Sequence, residues 1–166
     1  KQPYLFQADN FGFRAVTESD INYLSMLDAD EETMNFFPGG ARTQEEINNN
    51  IKMYIDAYNK FGYGIFLVFD AISDEFIGRA GFRDIENGET EVGFLVLKKY
   101  WGKGFASRIL KALLVWAKNN IKKDKIIAFT PLKHIASERV MQKAGMIFSR
   151  NGIMKGVECV IYEYKL

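Results

Sequence analysis

Residues Glu91 to Phe105 read EVGFLVLKKYWGKGF, and the fold turns on how the chain passes through them. Thr90 to Leu97 (TEVGFLVL) is aromatic and β-branched and predicts a strand. It runs directly into Lys98-Lys99-Tyr100-Trp101-Gly102-Lys103-Gly104. A long helix then follows from about Gly104 to Asn119, with Phe105, Ile109, Leu113 and Trp116 inward. Two glycines at a strand-to-helix junction let the backbone turn tightly with several amide N–H groups pointing outward. Those amides and the positive end of the helix dipole form a concave anion site. Lys98, Lys99 and Lys103 add positive charge, so the predicted guest is a phosphate or pyrophosphate. Two other phosphate loops fail here. No Gly-Lys is followed by Ser or Thr, which excludes the Walker pattern, and Ser107 replaces the third glycine of the dinucleotide fingerprint. Asp124 lies about 20 residues downstream, but it precedes a strand where a ribose-binding acid should end one. The alternative is that Gly102 and Gly104 merely begin a helix.

The neighbouring segments make the junction part of a mixed sheet. Upstream, Gly64 to Ala71 and Phe76 to Asp84 read as strands joined by the turn Ser73-Asp74-Glu75, and Glu86-Asn87-Gly88-Glu89 turns into the quoted strand. Three consecutive strands with short turns imply an antiparallel meander. Phe11 to Val16 reads as a first strand, and Thr17-Glu18-Ser19-Asp20 as a capping box for a helix to about Asp30. Thr43-Gln44-Glu45-Glu46 is a second capping box, opening a helix whose inward stripe is Ile47, Ile51, Tyr54, Ile55 and Tyr58. Downstream, Lys125 to Phe129 is a buried strand and Ala136 to Lys143 a helix stopped by Gly145. Met146 to Arg150 and Glu158 to Tyr164 close the chain as strands around an Asn151 to Gly156 turn. The expectation is an α+β fold, a mixed and mostly antiparallel sheet of about seven strands with about four helices, in a single domain over 1–166.

Composition sets the outer limits. The 166 residues are 48% hydrophobic and 26% charged, which favours a packed core over disorder. Lys plus Arg number 22 against 21 Asp plus Glu, a net charge of +1, so no nucleic-acid partner is held by bulk charge. Cys159 is the single cysteine, which excludes an internal disulfide and points to a reducing, cytoplasmic setting. One His and one Cys cannot supply a zinc set, so no metal is expected. No run approaches about 18 apolar residues, and Lys1 to Asn10 carries neither an apolar secretory segment nor an initiator Met. A net charge near zero suits self-association, so a homodimer is among the expected partners.

The stretch YWGKGFASRILKALLVWA resembles the acyl-CoA signature of the GNAT N-acetyltransferase superfamily, Gln/Arg-x-x-Gly-x-Gly/Ala. Lys99 stands at the Gln/Arg position, and Gly102 and Gly104 match. His134 to Met146 is similar to the superfamily's next motif, Asn-x-x-Ser-x-x-Val-x-x-Lys-x-Gly-Phe. FRAVTESD, ETMNFFPGG and FIGRAGFRDIENGETEVGF resemble the branch that acetylates ribosomal-protein N-termini, so the likeness runs from Phe13 to Tyr164.

The resemblance implies that the fourth and fifth strands run parallel and splay apart. Acetyl-CoA would enter the gap, its pantetheine along the backbone of Phe94, Leu95, Val96 and Leu97. Its pyrophosphate would rest on the amides from Lys99 through Gly102, Lys103, Gly104 and Phe105 to Ala106. His134, at the family's Asn position, would hydrogen-bond CoA or backbone. The implied reaction moves acetyl from thioester sulfur to a primary amine, a protein N-terminal α-amine or a small-molecule amine. Glu91 is the candidate base, its alternative being a structural carboxylate paired with Arg79 or Arg83. Met141 stands where many members place a tyrosine acid. Ser137, at the motif's Ser, is the candidate donor to the departing thiolate, its alternative a helix-start hydroxyl bonding backbone. The acceptor is expected against the N-terminal helix pair, the Asn35 to Arg42 loop between them and the Asn151 to Gly156 turn. Asp28, Asp30, Glu31 and Glu32 precede the loop and would attract a cationic amine, their alternative being a solvated helix end. Two non-enzymatic readings compete: a CoA-binding module without catalysis, and an interaction scaffold with an empty loop.

Overall fold

The junction at Lys98–Gly104 sits over the middle of an eight-stranded sheet in the computed structural model, which describes residues 3–166. Lys1 and Gln2, the start of the stretch read for a secretory segment, lie outside the described residues. In chain order the elements are β1 (Phe6–Ala8), β2 (Phe11–Ala15), α1 (Ile21–Asp28), α2 (Gln44–Phe61), β3 (Ile65–Asp70), β4 (Phe76–Asp84) and β5 (Thr90–Val96). A 3₁₀ turn at Lys98–Tyr100 leads to α3 (Phe105–Asn120), β6 (Lys125–Pro131), α4 (Ile135–Lys143), β7 (Ile147–Met154) and β8 (Val157–Lys165). The strand order is β1-β2-β3-β4-β5-β6-β8-β7, antiparallel throughout except for the parallel pair β5–β6. The expected α+β architecture stands, with the splayed pair where the resemblance placed it.

Three local expectations need correction. The sheet has eight strands, because Phe6–Ala8 adds an edge strand too short to carry a periodic signal. Its Phe6 ring stacks between Phe13 and Trp116, with centroids 4.4 and 5.1 Å away. Thr17-Glu18-Ser19-Asp20 is not a two-way capping box. The Thr17 amide and hydroxyl both donate to the Asp20 carboxylate (2.7 and 3.1 Å), and α1 starts only at Ile21. Asp20 is held from the other side by both terminal nitrogens of Arg14, each at 2.9 Å. Finally, Asn151 to Met154 belong to β7, and the turn shrinks to Lys155-Gly156. The second capping box forms as expected. The Glu46 amide donates to Thr43 Oγ1 at 3.2 Å, and the Thr43 amide donates to Glu46 Oε1 at 3.0 Å.

Alternation along the strands builds two cores. Val92 and Val96 of β5 join Phe66, Ile77 and Phe82 beneath α3, which buries Ile109, Leu110, Leu113, Leu114 and Ala117 at helical spacing. Leu95 joins Leu67, Phe69 and Phe76 on the opposite face, beneath Leu24, Leu27, Ile47 and Ile51 of α1 and α2. Glu91 and Gly93 share the Leu95 face, so they point toward α1 and α2.

Close strand contact depends on Gly78. A Cβ there would lie 2.1 Å from the Leu95 carbonyl oxygen and 2.8 Å from the Val96 Cα, both backbone atoms. Gly78→Ala is expected to force β4 from β5 and to cost about 2 kcal/mol in a urea melt. A loss below about 0.5 kcal/mol would contradict the tight contact.

Candidate active site

The two parallel strands share a single aligned pair, Glu91 with Ile127. Beyond it they part, and a cleft of about 1010 Å³ opens between Val92–Val96 of β5 and Phe129–Pro131 of β6. One side is completed by Tyr100–Gly102, Gly104–Ser107 and the start of α4, the other by the loop after α1, by α2, β4 and Met154–Val157.

The glycine turn has the form that an anion site requires. Gly102 and Gly104 have φ of +71° and +80°, the left-handed region that other residues enter only with strain. A Cβ at either would meet nothing within 4 Å, so the approach to their amides is open. Gly104 is the N-cap of α3 and has no side chain to satisfy the free amides of the first turn. A pyrophosphate fits these donors. Phe94, Leu95, Val96, Phe105 and Ala106 all line the cleft, whereas Leu97, Lys99 and Lys103 do not. Leu97 packs toward the core under α1 and α2, and the exposed Lys99 ammonium sits 5.1 Å from the Tyr100 ring. Lys98 is held by Glu32 at 2.5 Å. Lys133, Arg139 and Lys143 line the cleft instead, cations that lie outside the glycine stretch. Their spacing on α4 and its approach, with Arg139 and Lys143 one helical turn apart, was the available signal.

Glu91 lies at the base of the gap. It is buried, and its Oε1 accepts from Nη2 of Arg83, the residue directly opposite it on β4. The ion pair foreseen as its structural role therefore forms, with Arg83 and not Arg79. Gly93, two residues along the same face, leaves space, since a Cβ there would meet nothing within 4 Å. Ser137 also lines the cleft, and its hydroxyl has no hydrogen-bond partner among the described residues, so it is not spent on a backbone cap. Met141 is buried at 2% exposure. The Tyr162 hydroxyl is tied to Glu138 at 2.7 Å and Gln142 at 2.9 Å; burial first, then Glu138, raises its pKa. The Cys159 thiol is buried, and its pKa is pushed up by that burial.

His134 crosses the cleft. Its ring stacks on Phe36, with centroids 3.9 Å apart and planes 2° from parallel, while Nδ1 lies 3.3 Å from Thr130 Oγ1. Burial lowers its pKa below the ordinary histidine value. The loop after α1 is thus joined to the start of α4 by two flat rings.

Three of the four acids expected to draw in a cationic amine, all but Glu31, are committed elsewhere. Asp28, 1% exposed, accepts from Arg79 Nε at 3.0 Å. Asp30 accepts from the amide and hydroxyl of Thr33 at 2.9 and 2.6 Å, and Glu32 holds Lys98. The sequence pattern could not show these partners, because Arg79 and Lys98 are distant in the chain.

The comparisons agree with this architecture. The family model for the acetyltransferase (GNAT) domain matches residues 10–147. The Bacillus subtilis (strain 168) protein YkkB is 27% identical over 166 residues, covering 95% of this chain and 93% of its own. Among solved structures, RimL, the ribosomal L7/L12 α-N-protein acetyltransferase in complex with coenzyme A, superposes with a TM-score of 0.80 at 18% identity, covering 98% of both chains. AAC(6′)-Ib in complex with paromomycin and acetyl-CoA has a TM-score of 0.80 at 16% identity, covering 95% of this chain and 94% of its own. The splayed strands, the open glycine turn and the matched domain give one conclusion: the chain belongs to the GNAT acetyltransferase family and is an acetyl-CoA-dependent N-acetyltransferase.

Proposed function

We propose that the chain acetylates a primary amine of the α-amine type, with a protein N-terminus as the first choice. The observation that carries the reading is the gap between β5 and β6, opened beside a glycine turn with open space where side chains would stand. Acetyl-CoA would lie along the backbone of Phe94 to Val96, its pyrophosphate on the amides from Gly102 to Ala106, with His134 and Ser137 on the facing side. The Leu97, Tyr100 and Trp101 amides, included in the expected set, donate instead to the carbonyls of Ile77, Leu97 and Lys98. In the reaction a C–N bond forms as the amine attacks the thioester carbonyl, and the C–S bond breaks. The proton released by the amine passes through water to the Glu91 carboxylate. The departing thiolate accepts a hydrogen bond from the Ser137 hydroxyl and is protonated from water, while Glu91 returns its proton to water.

The acceptor's basicity favours an α-amine. A lysine-like amine near pKa 10.4 is under about 0.1% neutral at pH 7, whereas an α-amine near 8 is roughly a tenth neutral. Glu91 shares its carboxylate with Arg83, and such a group suits the second task better than the first. RimL, which acetylates the α-amine of ribosomal L7/L12, supports the choice by fold alone, and AAC(6′)-Ib holds an aminoglycoside on the same fold.

The test is CoA release with a panel of peptide N-termini and small amines. Peptide turnover is expected; acetyl-CoA binding without turnover of any amine would move the non-catalytic reading to first place. Glu91→Gln is expected to lower kcat by about 100-fold while leaving acetyl-CoA affinity within about twofold. Wild-type turnover in that variant across about pH 6–9 would reduce Glu91 to a strand-pairing role.

A further inference from the structure

The acceptor half of the cleft is lined by more cations than the acids there can neutralise. Arg79 and Arg83 project from β4 two strand repeats apart, Arg42 stands at the end of the loop after α1, and Lys155 reaches in from the β7–β8 turn. Asp28 and Glu91 each engage one arginine, and Glu32 is turned to Lys98. Arg42 and Lys155 form no salt bridge with a carboxylate among the described residues, and Glu46 and Glu91 act on them only at longer range. The Arg42 guanidinium is fixed by the carbonyls of Pro38 at 2.7 Å and Gly40 at 3.0 Å, which orient it without neutralising it.

Lys155 is placed at a conformational cost. It has φ of +53° and is followed by Gly156 at +76°, a two-residue hairpin turn in which asparagine or glycine is the unstrained choice. Lys155 is exposed at the rim of the cleft, yet desolvation there lowers its ammonium below the ordinary lysine value, and Arg83, Arg79 and Arg42 push the same way against Glu91. The three guanidinium groups therefore act on Lys155 across the same space, and a bound anion would relieve that repulsion.

We infer that the acceptor is an amine carrying a carboxylate close to the reacting nitrogen, and that Arg42 and Lys155 receive this carboxylate while the amine faces Glu91. The inference rests on the proposed acetyl-transfer reading. Two sources share this chemistry: a peptide N-terminus followed by acidic residues, and a free α-amino acid. Polycationic amines are disfavoured by the same field.

The test compares matched acceptors by CoA release: the peptides Ser-Asp-Asp-Ala and Ser-Asn-Asn-Ala as C-terminal amides, serine and serinamide, and spermidine. The anionic member of at least one pair is expected to exceed its neutral partner about tenfold in kcat/KM, with spermidine poorest. An advantage within the peptides alone assigns the anion to acidic side chains; one within serine alone assigns it to the α-carboxylate. Lys155→Asn, which suits the turn, should erase most of the advantage, as should raised salt, with acetyl-CoA affinity unchanged. Equal rates within both pairs, or spermidine as the best acceptor, would overturn the inference and leave the acetyl-transfer reading intact. Should none be turned over, the CoA-loaded protein is titrated with the N-acetylated forms of both peptides and of serine and serinamide. Preferential binding of an anionic form that weakens in Lys155→Asn supports the inference; equal or absent binding overturns it. Absence of acetyl-CoA binding would instead overturn the proposed function.

Discussion

Gly104→Asp is expected to lose acetyl-CoA binding by a factor of about 100 or more in calorimetric titration, about 3 kcal/mol. Two effects add. The left-handed backbone at Gly104 (φ +80°) strains any residue with a Cβ, and the new carboxylate stands at the mouth of an open set of amides proposed to hold a pyrophosphate. Gly104→Ala separates them, since it carries the strain without the charge and should weaken binding much less. Unchanged affinity in the aspartate variant would remove the pyrophosphate from this turn.

Arg79→Met is expected to destabilise the fold by about 3 kcal/mol and to lower Tm by roughly 10 °C. Asp28 is 1% exposed, and Arg79, its side chain 12% exposed, supplies its counter-charge from β4. Without the guanidinium, a carboxylate stays buried under α1 with no cation to compensate it. The double variant Asp28→Leu with Arg79→Met should regain most of the loss, because an apolar pair of similar volume removes both desolvated charges. Urea unfolding of the three proteins decides the matter. A loss below about 1 kcal/mol in the single variant would mean that water reaches Asp28.

The sheet was legible because strand period, glycine punctuation and helix stripes all agree over Gly64 to Gly145, whereas its splayed parallel pair came from the family resemblance alone. Capping geometry was legible where both partners lie within one turn, as at Thr43 and Glu46. It failed at Thr17 because Asp20 also answers to Arg14 in a different element. The candidate site divides along the same line. Gly102 and Gly104 could be named from local pattern at a strand-to-helix junction, while Glu91 and Ser137 were named from the motifs of the resemblance. The commitments of Asp28 to Arg79 and of Phe36 to His134 depend on tertiary proximity, which no local spacing encodes. Lys155 lies in the Asn151 to Gly156 turn expected beside the acceptor, but its charge was not singled out, because a lysine at a hairpin tip reads as solvated until the hairpin is seen folded over the cleft.

The single ladder contact between β5 and β6 has a mechanical consequence. The β1–β5 and β6–β8 portions of the sheet are joined edge to edge only at Glu91 and Ile127, so that pair acts as the fulcrum for any widening or narrowing of the mouth. Displacement about a fulcrum grows with distance from it. Any such displacement would therefore be largest at Phe94–Val96 and Phe129–Pro131 and smallest at Glu91. The carboxylate proposed as proton acceptor is thereby anchored at the paired end of the cleft, where a change in the width of the mouth would move it least.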